Sequence, residues 1–378
     1  MRVALFTETF LPKIDGIVTV VCLLLDHLTK RGIETTIVAP KMGCERYNET
    51  PVIGVPGIRF PLYPELRIGP PLPGTYRQLK AFQPDITHFI HPILIGAPGM
   101  LMAGRLGVPR VASFHLDVAR IAHHYHMGFV EPVTDLATRI VFNAADVSLA
   151  PSKLIQRDME RIGIRNVRLW RRGVNAEKFN PRFRSAAMRE MLSDGHPEDT
   201  LLIYVGRLGA EKQIGQIRAV LEQVPGTRLA LVGNGPARDD LEKQLASMPV
   251  KFAGYLTGDA LSEAYASADI FVFPSALETF GLVVVEAMAA GLPVVASRVG
   301  GVRDTVEEGV TGYTFDVNDI AGMVEGVRQI AVSRARITEM GQAARAFAET
   351  QSWDAMMDEV IDIYRELIEA RAAKKEKA

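Results

Sequence analysis

Cysteine is nearly absent. Cys22 and Cys44 are the two in 378 residues. Neither falls at a metal-ligand spacing, so nothing suggests a disulfide framework or a thiolate metal site. Cys22 lies in an apolar run and reads as core. No apolar run reaches 18 residues, which leaves no candidate for a membrane-spanning helix. The opening MRVALFTETF holds four apolar residues in a row; that is too short for a secretion signal, and a strand accounts for it. Neither charge sign is in excess, with 43 Lys+Arg against 44 Asp+Glu and a net charge of -1 at pH 7. Nothing global therefore argues for nucleic acid as a partner. The first loop, Thr7–Gly16, lacks G-x-G-x-x-G, which disfavours a nicotinamide dehydrogenase.

What is present describes a soluble chain with ample core: 48% hydrophobic residues and a length that suggests two domains. Val3–Phe6 reads as a strand, Ile17–Lys30 as an amphipathic helix and Glu34–Val38 as a second strand. Together they form a Rossmann-like opening. Residues 51–76 are proline-rich and read as loop with short extended pieces, without a helix. Arg67, Arg77 and Lys80 lend this part modest positive charge. Further strands are expected at Asp85–Ile90, Val108–Phe114, Val147–Ala150 and Val167–Leu169, with a helix over Leu94–Leu106. His115 stands at a strand's C-terminal end, the edge where open parallel sheets bind ligands. The run His123, His124, His126 invites a metal reading, but i, i+1, i+3 spacing does not converge on one helix face and no carboxylate completes it. No metal ligand set is assigned.

A polar stretch, Ser193–Thr200, marks a second domain, which starts with the strand Leu201–Val205. Gly206-Arg207-Leu208-Gly209-Ala210-Glu211-Lys212 follows, with a helix expected next. Two cations at a strand end suit a diphosphate or a solvated loop. Gly233-Asn234-Gly235-Pro236 follows the strand Arg228–Val232 and is weak evidence for a dinucleotide. Val250–Ala253 reads as a strand and Ala260–Ser267 as a helix.

The chain is organised around DIFVFPSALETFGLVVVEAMAAGLPVVASRVGG, Asp269–Gly301. Ile270–Phe273 reads as a buried strand ending at Pro274-Ser275. A helix runs from about Leu282 to Ala290, stopped by Gly291 and Pro293. Val294–Ala296 is the next strand. Glu278 lies in the loop and Glu286 in the apolar helix, with seven residues between them. A carboxylate set in VVVEAMAA needs a partner. An ion pair to a neighbouring element would serve, and so would ligand hydroxyls. The backbone N–H groups of Phe280, Gly281 and Leu282 open a helix and face an anion.

The two glutamates, flanked by FPSALETFGL and EAMAAGLPVVAS, resemble the signature of the retaining family-4 glycosyltransferases, and the resemblance extends over essentially the whole chain. The segment Asn166–Leu192 resembles that of sulfoquinovosyldiacylglycerol synthases and glycosyl-diacylglycerol mannosyltransferases. The resemblance implies an α/β GT-B fold: two Rossmann-like domains facing across a cleft, with the last helix crossing back to the first. The divisions expected are 1–172 for the acceptor domain, 173–355 for the nucleotide-sugar domain and 356–378 for the crossover helix and tail.

The implied activity is retaining transfer of a hexose from a nucleotide sugar to a diacylglycerol-type lipid. The donor would be UDP-linked, with UDP-sulfoquinovose one candidate. A soluble or polysaccharide acceptor is the alternative, and a nucleotide-sugar 2-epimerase the alternative from another class. The resemblance implies roles for His115 against the transferred sugar, Arg207 and Lys212 on the leaving diphosphate, and Glu278 on the sugar hydroxyls. It places Gly16, Gly206, Asn234, Phe280, Gly281, Leu282 and Glu286 at the donor, Glu286 on the ribose. No Asp-x-Asp motif occurs, so the metal-independent mode is expected and no cofactor is implied. A covalent route would need a carboxylate nucleophile, for which Asp117 is the nearest candidate by position. A sulfonated sugar would need cations, with Arg67, Arg120 and Arg303 as candidates. The expected location is cytoplasmic, with peripheral contact at the membrane face. The tail from Arg371 reads as frayed.

Overall fold

The computed structural model describes residues 1–12, 16–60, 63–69, 73–92, 95–115, 131–278 and 280–376. The chain divides into two units, Met1–Arg171 with Asp354–Ala378, and Arg172–Trp353.

The first unit is built on strands β1 (Arg2–Thr7), β2 (Glu34–Pro40), β3 (Arg46–Tyr47) and β4 (Thr50–Val55), then the pair β5 (Ile58–Phe60) and β6 (Tyr63–Ile68). They are followed by β7 (Ile86–Ile90), β8 (Arg110–Ser113), β9 (Val147–Ala150) and β10 (Val167–Leu169). Eight form one sheet, in the order β10-β9-β8-β7-β1-β2-β4-β3; β5 and β6 pair separately as an antiparallel ribbon. All eight-strand pairings are parallel except the short β3–β4 edge. Val3, Ala4, Leu5 and Phe6 are fully buried, the continuous apolar pattern of a strand covered on both faces. The helix Trp353–Glu376 belongs, beyond its first residue, to this unit. His27 on the helix Gly16–Lys30 lies between its carboxylates, 3.2 Å from Asp354 and 2.8 Å from Asp358.

One expectation fails here. Residues 51–76 contain the start of a helix, Pro73–Phe82. Pro73 occupies its first position, where the missing N–H costs nothing and the fixed φ suits a helix.

The second unit holds β11 (Thr200–Val205), β12 (Thr227–Val232), β13 (Val250–Gly254), β14 (Ile270–Phe273), β15 (Val294–Ser297) and β16 (Gly312–Phe315). Its sheet is all parallel, in the order β13-β12-β11-β14-β15-β16. That is the doubly wound order, and the direction of winding reverses between β11 and β14, where such sheets bind ligands. The helix Leu282–Ala289 is apolar nearly all round, because Val284, Val285, Ala287, Met288 and Ala289 are all buried. Asp269, just before β14, is buried and receives Arg189 at 2.7 Å and Arg334 at 2.8 Å, while its Oδ2 accepts from the Leu201 N–H. This network pins the start of β14 against β11. Among the described residues no helix is long and apolar enough to cross a membrane.

Candidate functional site

Each unit carries its own group of candidate residues, at the C-terminal end of its sheet. In the second unit, the turn after β11 and the loop after β14 flank the point where winding reverses. Gly206 leaves β11, and its N–H donates to Val232 O. Gly233 must be glycine. Its φ is 133°, and a Cβ there would stand 2.0 Å from Gly206 O. Asn234 O accepts from the Leu208 N–H, and Asn234 Oδ1 from the Gly235 N–H. The two turns are thus one hydrogen-bonded unit.

The helix expected after Lys212 begins late, as a 3-10 turn over Ile214–Ile217 that runs into an α-helix. Lys212 ends a 3-10 turn, Ala210–Lys212, and Gln213 takes a left-handed φ of 50°, so the next α-helix starts only at Arg218. No helix dipole backs Lys212 directly. The helix that opens at this edge is Leu282–Ala289, whose N-cap is Gly281 with φ 89°. Its first N–H groups have no partner inside the helix. Phe280 and Gly281 are buried and Leu282 half-buried. Thr279 lies outside the described residues.

Lys212 Nζ sits 3.3 Å from Glu278 Oε2 and 3.4 Å from Leu277 O, and 5.4 Å from the Phe273 ring centroid. Lys212 and Glu278 thus form an ion pair in the chain as it stands. Arg207 is half-exposed and donates to Glu211 Oε1 at 2.5 Å. Glu211 is buried, and its backbone O accepts from the Ala276 N–H, tying the β11 turn to the β14 loop. Glu286, half-buried on the helix, accepts from the Tyr265 hydroxyl at 3.1 Å. Enclosure by protein raises its carboxyl to about 7; Tyr265 and the charge of Lys178 pull the other way. Burial likewise raises the Tyr265 phenol well above its ordinary value.

In the first unit, His115 follows β8 and is buried, with Nε2 2.9 Å from Ser113 Oγ. His91 follows β7 with a left-handed φ of 50°, and its Nδ1 accepts from the His115 N–H at 3.3 Å. Burial lowers His91 to about 4, so it stays neutral. Glu8, after β1, accepts from the N–H groups of Ile95 and Gly96 at 3.0 Å and so caps the helix Gly96–Leu106. Gly16 is the first residue of the helix Gly16–Lys30. Asp117, Arg120, His123, His124, His126 and the side chain of Arg67 lie outside what is described. Arg303 is exposed, its Nε donating to Arg298 O. Among the described residues no cluster of His, Cys, Asp and Glu could hold a metal ion.

Sequence reasoning brought together Arg207, Lys212, Glu278 and Glu286, and missed Glu211, Tyr265, Ser113 and His88. Glu211 was visible in GRLGAEK beside the two cations. Tyr265 carried no signal, because its link to Glu286 spans 21 residues. Chemically, the residues of the second unit can neutralise a diphosphate with Arg207 and Lys212 and accept hydrogen bonds from hydroxyls at Glu278 and Glu286.

Residues 14–178 match the family described as Glycosyltransferase Family 4, and residues 192–347 match Glycosyl transferases group 1. The chain is 38% identical to a sulfoquinovosyl transferase, SQD2, of Arabidopsis thaliana, over 94% of this chain and 71% of that one. It is 36% identical to a GDP-mannose-dependent alpha-mannosyltransferase of Mycolicibacterium smegmatis, over 98% and 99%. It is 27% identical to an alpha-monoglucosyldiacylglycerol synthase of Acholeplasma laidlawii, over 84% and 86%. Among solved structures, a sucrose-phosphate synthase of Thermosynechococcus elongatus shares the fold with a TM-score of 0.79 at 22% identity, over 98% of this chain and 99% of that one.

Proposed function

The chain belongs to the family-4 glycosyltransferases, retaining hexosyltransferases of GT-B fold, and we propose that it moves a hexose from a nucleotide sugar to a diacylglycerol-type lipid at a membrane surface. The observation that carries the donor side is the Lys212–Glu278 pair, 3.3 Å apart, at the edge where the second sheet reverses its winding. A cation for the diphosphate and a carboxylate for the sugar hydroxyls stand together there. Support for the lipid acceptor is the likeness to the diacylglycerol enzyme of Acholeplasma laidlawii and the Asn166–Leu192 segment. Membership in a hexosyltransferase family sets the 2-epimerase reading aside.

Retention follows from same-face substitution. The bond from the anomeric carbon to the diphosphate oxygen breaks, the acceptor hydroxyl bonds to that carbon on the same face, and its proton goes to the departing phosphate oxygen. Arg207 and Lys212 neutralise the charge that develops on the diphosphate, and the first N–H groups of Leu282–Ala289 add to them. Glu278 holds sugar hydroxyls beside the oxocarbenium-like centre. Glu286 accepts from the ribose hydroxyls. His115 contacts the transferred sugar. No metal takes part in this scheme, so EDTA should leave the rate unchanged.

The relatives' names leave the base and sugar divided between a sulfoquinovosyl and a GDP-mannose donor. Nucleoside diphosphate release should be measured from UDP- and GDP-sugars, UDP-sulfoquinovose included, with and without diacylglycerol or glycosyl-diacylglycerol vesicles. Vesicle-dependent release is the expected result, and the responding donor names the sugar. Release that ignores vesicles with every donor would refute the lipid acceptor and point to a soluble or polysaccharide one.

A further inference from the structure

Four side chains of the first unit form a buried line. Tyr364 Oη lies 2.5 Å from His88 Nδ1. His88 Nε2 lies 3.0 Å from Ser113 Oγ, and Ser113 Oγ lies 2.9 Å from His115 Nε2. The first three are fully buried and His115 nearly so. Trp170 packs on both imidazoles, with centroids at 5.6 and 5.8 Å.

The line has a direction. Burial raises the Tyr364 phenol, so it keeps its proton. Among the described residues His88 Nδ1 is the one hydrogen-bond partner of that hydroxyl. A buried O–H must donate to something. Tyr364 therefore donates to Nδ1 of His88, which leaves the His88 proton on Nε2 to be given to Ser113. Ser113 has accepted, and its own single proton goes on to His115 Nε2. A neutral His115 must then carry its proton on Nδ1.

We propose that Tyr364, acting through His88 and Ser113, sets the tautomer of His115 and is thereby a positioning residue for sugar transfer. The proposal rests on the reading of His115 as a contact of the transferred sugar. A sugar hydroxyl meets an N–H donor or a bare nitrogen according to which ring atom holds the proton. The helix Trp353–Glu376 thus reaches the chemistry through its Tyr364 hydroxyl, although it carries no residue of the donor site.

Tyr364→Phe and Ser113→Ala each delete one oxygen and break the line at different places. With ¹⁵N-histidine labelling of the full chain, its eight histidines can be followed and His115 assigned by its loss in His115→Ala. Wild type should show His115 as the Nδ1–H tautomer, and both variants should move it toward Nε2–H or a mixture. Nucleoside diphosphate release from UDP-glucose and GDP-mannose should lose about tenfold in kcat, the worth of one aligning hydrogen bond, with the donor KM held. A merely structural role would lower the melting temperature and leave the tautomer in place. An unchanged His115 spectrum in Tyr364→Phe, or a changed spectrum with unchanged kcat, overturns the proposal. Wild-type turnover by His115→Ala overturns it from the other side. In that case the His115 reading has failed while the spectrum still shows the line intact.

Discussion

Glu286 gives the sharpest prediction, because the structure makes its charge costly and the proposed ribose contact needs it. Its carboxyl is raised from an ordinary 4.5 to about 7 by enclosure in the protein. Between these values the folded chain holds a proton that the unfolded chain has released. Stability of the second unit therefore falls as pH rises from about 4.5 to about 7, and the full cost is present above that. At about 1.4 kcal/mol per pH unit the upper bound is about 3 kcal/mol. The side chain is partly open to solvent, so about 2 kcal/mol is the better figure. Glu286→Gln keeps an oxygen to accept from Tyr265 and cannot ionise. It should stabilise the unit by about 2 kcal/mol at pH 8, or about 5 °C in Tm, and have little effect at pH 5.

The same substitution should harm binding. Ribose hydroxyls donate best to the ionised carboxylate, so wild-type affinity should follow the ionised fraction. Between pH 8 and pH 6 that fraction drops about tenfold, and Kd should rise about tenfold with it. A nucleotide sugar is the right probe, because its esterified diphosphate does not titrate in this range. In Glu286→Gln the Kd should be weak and flat with pH. Thermal melts and calorimetric titrations from pH 5 to 8.5 read both effects. Parallel stability curves for wild type and variant, or equal affinity at pH 8, would refute the reasoning.

Lys212→Ala should lower kcat by about 100- to 1,000-fold, the cost of removing one charge stabiliser of the leaving group, while Tm changes little. Steady-state rates with a circular-dichroism melt check both. Gly233→Ala should cost more than about 3 kcal/mol, since the new Cβ stands 2.0 Å from Gly206 O at a φ of 133°; its chemical denaturation midpoint and nucleotide binding should fall together. His91 stays neutral down to about 4, so the unfolded chain binds its proton first as pH falls below the ordinary histidine range. The first unit should thus lose up to about 3 kcal/mol between about pH 6.5 and pH 4. His91→Asn should flatten that slope, because Asn tolerates the left-handed φ and its Oδ1 can accept from the His115 N–H; an equally steep acid slope in the variant would refute this.

The sequence made the sheets legible because each buried strand is a short apolar run between turn residues. Ile270–Phe273, Val147–Ala150 and Val167–Leu169 were readable to the residue. Pro73–Phe82 was not, because polar GTYRQLKAF follows a run of prolines and shows little apolar stripe. The turns after Lys212 were hidden by one backbone choice, the left-handed Gln213. The charged half of the site was legible because its cations and carboxylates lie in two short segments. The supporting groups were not. Tyr364 and His88 are 276 residues apart, and no local period records such a pairing.

The lock between the two loops explains why a poor stabiliser sits at the site. Glu211 is buried, its Oε2 has no partner among the described residues, and its one charge partner, Arg207, is half in water. Such a carboxylate costs desolvation that a single half-exposed guanidinium does not repay in full. Stability does not account for it, but geometry does. Its side chain aims Arg207, and its backbone O holds Ala276 two residues ahead of Glu278. Lys212, the next residue, is steered by the Phe273 ring and Leu277 O as well as by Glu278. Cations and carboxylate are therefore fixed at the sheet edge before any donor arrives. The cost of ordering them falls on folding, so that in the proposed transfer the energy of donor binding is left for the transition state.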